Sequence, residues 1–224
     1  MIDEGAASRL RRHDLLHIAP GAWEEALRSR SDLAGIELLD GWADAGWPVI
    51  VRRRDDGDQE GTIPVAVPLP RAARRTGVAL ALPPVAVSGR RAPMSLEDVR
   101  AVTPRAWHES IDALVAAGAR HRSRPIAFGS VLWQALTGLS YVGATSDLDL
   151  AWPVDPTTDI TSLVELLRDL DRNATPRIDG ELIFPDGGAV SWRELARGPR
   201  LVIVKRVDRI ESCPIEMVLG PRAS

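Results

Sequence analysis

Two aspartates stand one residue apart in Ser146-Asp147-Leu148-Asp149-Leu150, and upstream of them Gly129-Ser130 follows the mostly apolar run Arg124 to Phe128. Side chains on a strand alternate between faces, so a strand over 146–150 puts both carboxylates on one face and Leu148 and Leu150 on the other. Carboxylates held close repel unless a positive charge stands between them. A hard divalent cation, which takes oxygen ligands, is the natural partner. Gly129-Ser130 supplies the complementary half. Glycine lets the backbone approach a ligand, and the outward amides of a helix that opens at Ser130 attract anions. Asp-x-Asp alone is a common solvated edge, and Gly-Ser alone is a turn. Their succession as strand, helix start and acidic strand is a device for holding a metal-bound triphosphate.

Other elements must carry this device. After Thr103-Pro104, a cap and a first-turn proline, Trp107, Ile111, Leu114 and Val115 recur at helical spacing, and Gly118 reads as the end of that helix. Beyond the acids, Thr158 or Asp159 caps a helix striped by Leu163, Leu166, Leu167 and Leu170. Ile178 to Phe184 and Leu201 to Val207 read as strands, with a turn at Pro185-Asp186-Gly187-Gly188 and a short helix after Ser191. Helices and strands in this order fit a mixed sheet with flanking helices.

Ahead of Pro93 to Ser95, where the chain reads as changing domain, His13 to Ala19 suits a strand and Pro20 onward a helix. Glu37 to Ala45 suits a second helix. Trp47 to Arg53 and Thr62 to Leu69 form a hairpin across the polar link 55–61. Pro64, Pro68 and Pro70 assign its second strand to a sheet edge. The fold class expected is α+β: an N-terminal α/β module over 1–94 and a catalytic mixed sheet over 95–224.

Hydrophobic residues are 45% of 224, enough for a real core. The formal net charge of -3 argues against a general nucleic-acid binder. Of the 28 basic residues, Lys205 is the only lysine. Arg71, Arg74, Arg75, Arg90 and Arg91 make a basic stretch for which, from charge alone, a solvated loop is the simpler reading. One cysteine, Cys213, allows no internal disulfide and points to a reducing, cytoplasmic setting. The start lacks an apolar signal region, and no apolar run is long enough for a membrane span.

Gly129-Ser130 with Ser146 to Leu150 resembles the signature of the polymerase-beta-type nucleotidyltransferases. Adding Trp133-Gln134, Leu136 to Leu139, Tyr141, Arg177-Ile178-Asp179-Gly180-Glu181 and Phe184 to Gly188, with His13 to Leu16, the chain resembles one branch. That branch is the malonate decarboxylase holo-acyl-carrier-protein synthase (phosphoribosyl-dephospho-CoA transferase) family. The resemblance implies a third carboxylate on a later strand. Asp179 is the choice and Glu181 the runner-up, and their spacing does not decide between them. It implies two magnesium ions about 3.5–4 Å apart on Asp147, Asp149 and Asp179, and catalysis by positioning and charge neutralisation. Gly129 and Ser130 would grip phosphates. Lys205, in the strand Leu201 to Val207, suits either a counter-charge for the leaving group or a solvated strand end, and composition does not decide between them. The N-terminal arginines, Arg71, Arg74 and Arg75 among them, would meet the donor or a protein partner. The implied donor is triphosphoribosyl-dephospho-CoA, and the implied acceptor is a serine of the apo acyl-carrier subunit of malonate decarboxylase, with pyrophosphate released. No nucleic acid and no membrane takes part. Alternatives are adenylylation of a small molecule or protein with ATP, or a nucleotide-binding protein without catalysis.

Overall fold

A computed structural model describes residues 10–73 and 77–219. The chain forms two compact units, Met1–Pro93 and Met94–Ser224.

In the first unit β1 (Leu15–Ile18) leads to helix α1 (Pro20–Arg28) and the single turn α2 (Glu37–Asp40), followed by β2 (Val49–Val51), β3 (Ile63–Pro68), β4 (Gly77–Leu82) and β5 (Val87–Arg91). The strands form a wholly antiparallel sheet in the order β4-β3-β2-β1-β5. Trp23, Trp42, Val49, Val65 and Val67 are buried, and both indole N–H groups are satisfied, by the carbonyls of Leu39 and Pro48. The helix expected to reach Ala45 stops at Asp40 and gives way to turns.

The prolines of β3 do not mark an edge: β3 is interior and β4 is the edge. The reason is the shortness of β2. The Pro64 carbonyl accepts from Arg52 N, so Pro64 faces the β2 side just past the last β2 residue. Pro68, four residues on, faces the same way, beyond the pairing of Ile50 with Ala66. Neither missing N–H falls within the ladder.

The second unit begins with α3 (Leu96–Val99), capped by Ser95 in a capping box with Asp98, and α4 (His108–His121). Then come β6 (Ile126–Ala127), α5 (Gly129–Thr137), β7 (Leu148–Pro153), α6 (Ile160–Asp171), β8 (Ile178–Ile183), β9 (Ala189–Ser191), α7 (Trp192–Arg197), β10 (Leu201–Lys205), β11 (Ile210–Pro214) and α8 (Ile215–Leu219). The six strands run β11-β10-β9-β8-β7-β6. β7 and β8 are parallel and the other pairs antiparallel, so the sheet is mixed. Ile111, Leu114, Leu163 and Leu167 pack with Leu148, Leu150, Trp152, Leu182, Val202 and Val204 in one core. By strand alternation the intervening residues, Asp149, Asp179, Glu181 and Lys205, belong to the opposite face.

α4 runs through Gly118 and ends three residues later at His121, followed by Arg122 in the left-handed conformation. Gly118 is there for packing instead. A Cβ on it would lie 2.4 Å from the Ser123 carbonyl oxygen and 2.6 Å from Pro125.

Candidate active site

β7 and β8 run side by side with Asp149 opposite Asp179. Gly180 holds this register. Its φ is +142° and a Cβ there would sit 1.9 Å from the Leu150 carbonyl oxygen, so only glycine lets the two backbones meet. Asp147 lies one residue before β7, and Leu148 N is bonded to the Arg177 carbonyl at 2.9 Å, which fixes the start of β7 against the start of β8.

The mouth of α5 closes the other side. Phe128 N donates to the Asp149 carbonyl at 3.0 Å, and Ala127 pairs with Leu150. Gly129 has φ +62°, and a Cβ on it would lie 2.0 Å from Asp149 Oδ2. The carboxylate therefore presses on the first residue of the helix, where backbone N–H groups have no partner within the helix. The first turn of α5 holds no acidic residue that would compete for them. Ser130, next in line, is half-buried.

Asp149 is the electrostatic focus. Burial, then the charges of Asp179 and Asp147, push its carboxyl up to about 7, against a smaller downward pull from Arg177. Arg177 Nη1 donates to Asp147 Oδ2 at 2.7 Å, and its Nη2 lies 3.4 Å from Asp179 Oδ2. Arg193 is anchored elsewhere, on Asp171 Oδ1 at 2.6 Å and the Ile178 carbonyl at 3.0 Å. Its Nε is 3.9 Å from Asp179.

Among the described residues no three His, Cys, Asp or Glu side chains converge as a preformed metal cage. The donor set nevertheless fits a hard divalent cation: Asp147, Asp149 and Asp179 offer only oxygen, and burial together with the charges of its two neighbours raises the Asp149 carboxyl, a cost that a bound cation would relieve.

Of the two candidates for a third carboxylate, Asp179 is the one beside Asp149. Glu181 is turned to another partner: its Oε1 accepts from Lys205 Nζ at 2.8 Å, and its side chain is 8% exposed. Lys205, the last residue of β10, is thus an ion-paired lysine on the acid-bearing face. Arg71 is an exposed turn residue of the first unit, while Arg74 and Arg75 lie outside the described residues. Sequence reasoning assigned no role to Arg177 or Arg193. The available signal was Arg177-Ile178-Asp179, since a residue two before a strand acid shares its face.

Two family models together span nearly the whole chain. The phosphoribosyl-dephospho-CoA transferase MdcG N-terminal domain matches residues 11–93 and the MdcG C-terminal domain residues 95–215. A phosphoribosyl-dephospho-CoA transferase of Bradyrhizobium diazoefficiens is 38% identical over 89% of this chain and 88% of its own. One from Xanthomonas campestris pv. campestris is 36% identical over 91% and 93%. Another, from Xanthomonas euvesicatoria pv. vesicatoria, is 40% identical over 73% and 77%. No solved structure matches the chain significantly.

Proposed function

The chain belongs to the phosphoribosyl-dephospho-CoA transferase family, and from that premise we propose that it moves the 2'-(5''-phosphoribosyl)-3'-dephospho-CoA group from its triphosphate precursor to a serine of the apo acyl-carrier subunit of malonate decarboxylase. The observation that carries this reading is the Asp149 carboxylate packed on Gly129 at the mouth of α5. It sets an acidic, cation-seeking group against a helix start that favours phosphate.

In the proposed reaction the serine Oγ forms a bond to the phosphorus nearest the ribose. The bond from that phosphorus to pyrophosphate breaks, and the hydroxyl proton is lost to the carboxylate cluster. Asp147, Asp149 and Asp179 would hold magnesium, which supplies charge neutralisation at the phosphates and a more acidic acceptor hydroxyl. Ser130 and the first amides of α5 orient the terminal phosphates. Lys205, steadied by Glu181, adds positive charge on the same face of the sheet. Arg71, with Arg74 and Arg75, is assigned to the CoA portion or to an acidic carrier surface.

No helix among the described residues is long and apolar enough to cross a membrane. A cytoplasmic setting is proposed from the single cysteine.

The decisive experiment is mass spectrometry of the apo carrier subunit incubated with the protein, magnesium and the triphosphate donor. The expected result is a mass gain of one phosphoribosyl-dephospho-CoA unit. An unmodified carrier, or transfer of adenylate when ATP replaces the donor, would overturn the reading.

A further inference from the structure

Arg177 sits among three acids, with its backbone fixed there and its side chain half-exposed. Its carbonyl is bonded to Leu148 N, so its backbone is tied to the start of β7. Its guanidinium reaches Asp147 Oδ2 at 2.7 Å and Asp179 Oδ2 at 3.4 Å while its side chain stays 53% exposed. Arg193 differs. Its side chain is 21% exposed and fastened to Asp171 and to the Ile178 carbonyl. Between these two arginines, Arg177 is the one free to turn toward solvent.

The geometry points to Arg177 as an exchangeable counter-ion. It occupies carboxylate oxygens of Asp147 and Asp179, yields them to an arriving divalent cation, and then turns its freed guanidinium to the polyphosphate that accompanies the cation. This inference rests on the cation reading of the acids proposed above.

Three physical points support it. An oxygen that accepts from a guanidinium has committed a lone pair that a cation would take, so the two compete for the same atoms. Ion pairs this exposed cost little to break. The freed group is a planar fork of donors that matches phosphate oxygens. In this account Arg177 acts first on the acids and then on the bound polyphosphate, before any chemistry. A fixed structural clamp would behave differently, because removing it would loosen the acids and weaken every ligand alike.

The test uses the full chain and two probes, Mn2+ alone and Mn2+ with inorganic tripolyphosphate. Free Mn2+ is read by electron paramagnetic resonance, and tripolyphosphate binding by calorimetry. Arg177→Gln should bind Mn2+ about three- to tenfold more tightly than the native chain, the gain expected from removing exposed ion pairs. It should also bind the Mn2+–tripolyphosphate complex more weakly. Circular dichroism checks the fold. Should the glutamine variant misfold, Arg177→Lys serves, since one ammonium cannot span both acids; it should show a smaller gain for Mn2+. Mn2+ binding no tighter than native in the folded variant, or both probes weakened together, overturns the inference. Asp149→Asn separates the two readings. If that variant binds Mn2+ as the native chain does, the acids are not the cation site and the proposed function loses its metal centre.

Discussion

Arg52 in the first unit and Arg177 in the second each stand among aspartates, and the two clusters end in opposite electrostatic states. Arg52 Nη1 donates to Asp58 Oδ2 at 2.8 Å and to Asp55 Oδ2 at 3.0 Å. Asp58 also accepts from the Asp55 amide at 2.7 Å. Its carboxyl is held below the usual range, first by the hydrogen bond from Arg52. In the second cluster Arg177 spends its hydrogen bond on Asp147, not on the partly buried Asp149. Asp149 is left with burial and two negative neighbours, which push it up to about 7. The same residue types thus close a loop in one place and leave a demand for positive charge in the other. What differs is whether the acid with the shifted carboxyl is the one the arginine bonds.

The largest expected effect tests that difference directly. Asp149→Ala should slow transfer to the carrier subunit by on the order of a thousandfold, the scale on which several kcal/mol of charge stabilisation is lost. Asp58→Asn should leave the transfer rate near native and cost roughly 1–3 kcal/mol of stability in urea unfolding. Near-native transfer by the Asp149 variant would dissolve the contrast.

Next in size is a pair of glycine substitutions. Gly46 and Gly129 have φ of +71° and +62°, but only Gly129 would press a Cβ onto a side chain, that of Asp149. Gly46→Ala and Gly129→Ala should each lose about 1–2 kcal/mol from the left-handed backbone. Only Gly129→Ala should also lose about a hundredfold in transfer, through displacement of Asp149. Equal transfer rates in the two variants would mean that the contact has no catalytic weight.

The smallest effect is one of sign. Between the ordinary aspartate value of 3.8 and about 7, Asp149 keeps a proton in the folded chain that it loses on unfolding. Its contribution therefore lowers stability as pH rises through that window and levels off above it. Asp58, with its lowered value, contributes stability that is present above 3.8 and lost as pH falls through its folded value. Thermal unfolding in chelator should show Asp149→Asn flattening the decline between pH 4 and 7 by a few degrees. Asp58→Asn should flatten the acid limb instead. Matching slopes in the two variants would contradict the assignment.

The acids and the helix mouth were legible because their signals are local. Alternation places Asp149 opposite to Leu148 and Leu150, and a glycine before an apolar helix marks the turn. The Arg177–Asp147 and Lys205–Glu181 pairs were not legible, since each joins residues far apart in sequence and depends on strand register. Elements of three to five residues, such as β9 and β11, carry too few side chains to show a period. β3 misled because an interior strand tolerates prolines where its neighbour has already ended. Gly118 misled because it reads as a stop when its task is to admit Pro125.

Lys205 has a practical consequence. As the sole lysine, it makes an amine-directed reagent a reporter with one internal address, aside from the amino terminus. Its ammonium is tethered to Glu181 on the acid-bearing face of the sheet. Acylation at that address, read from a peptide map with and without a bound polyphosphate, would chart how the surface beside the acids is covered, with no label engineered into the chain.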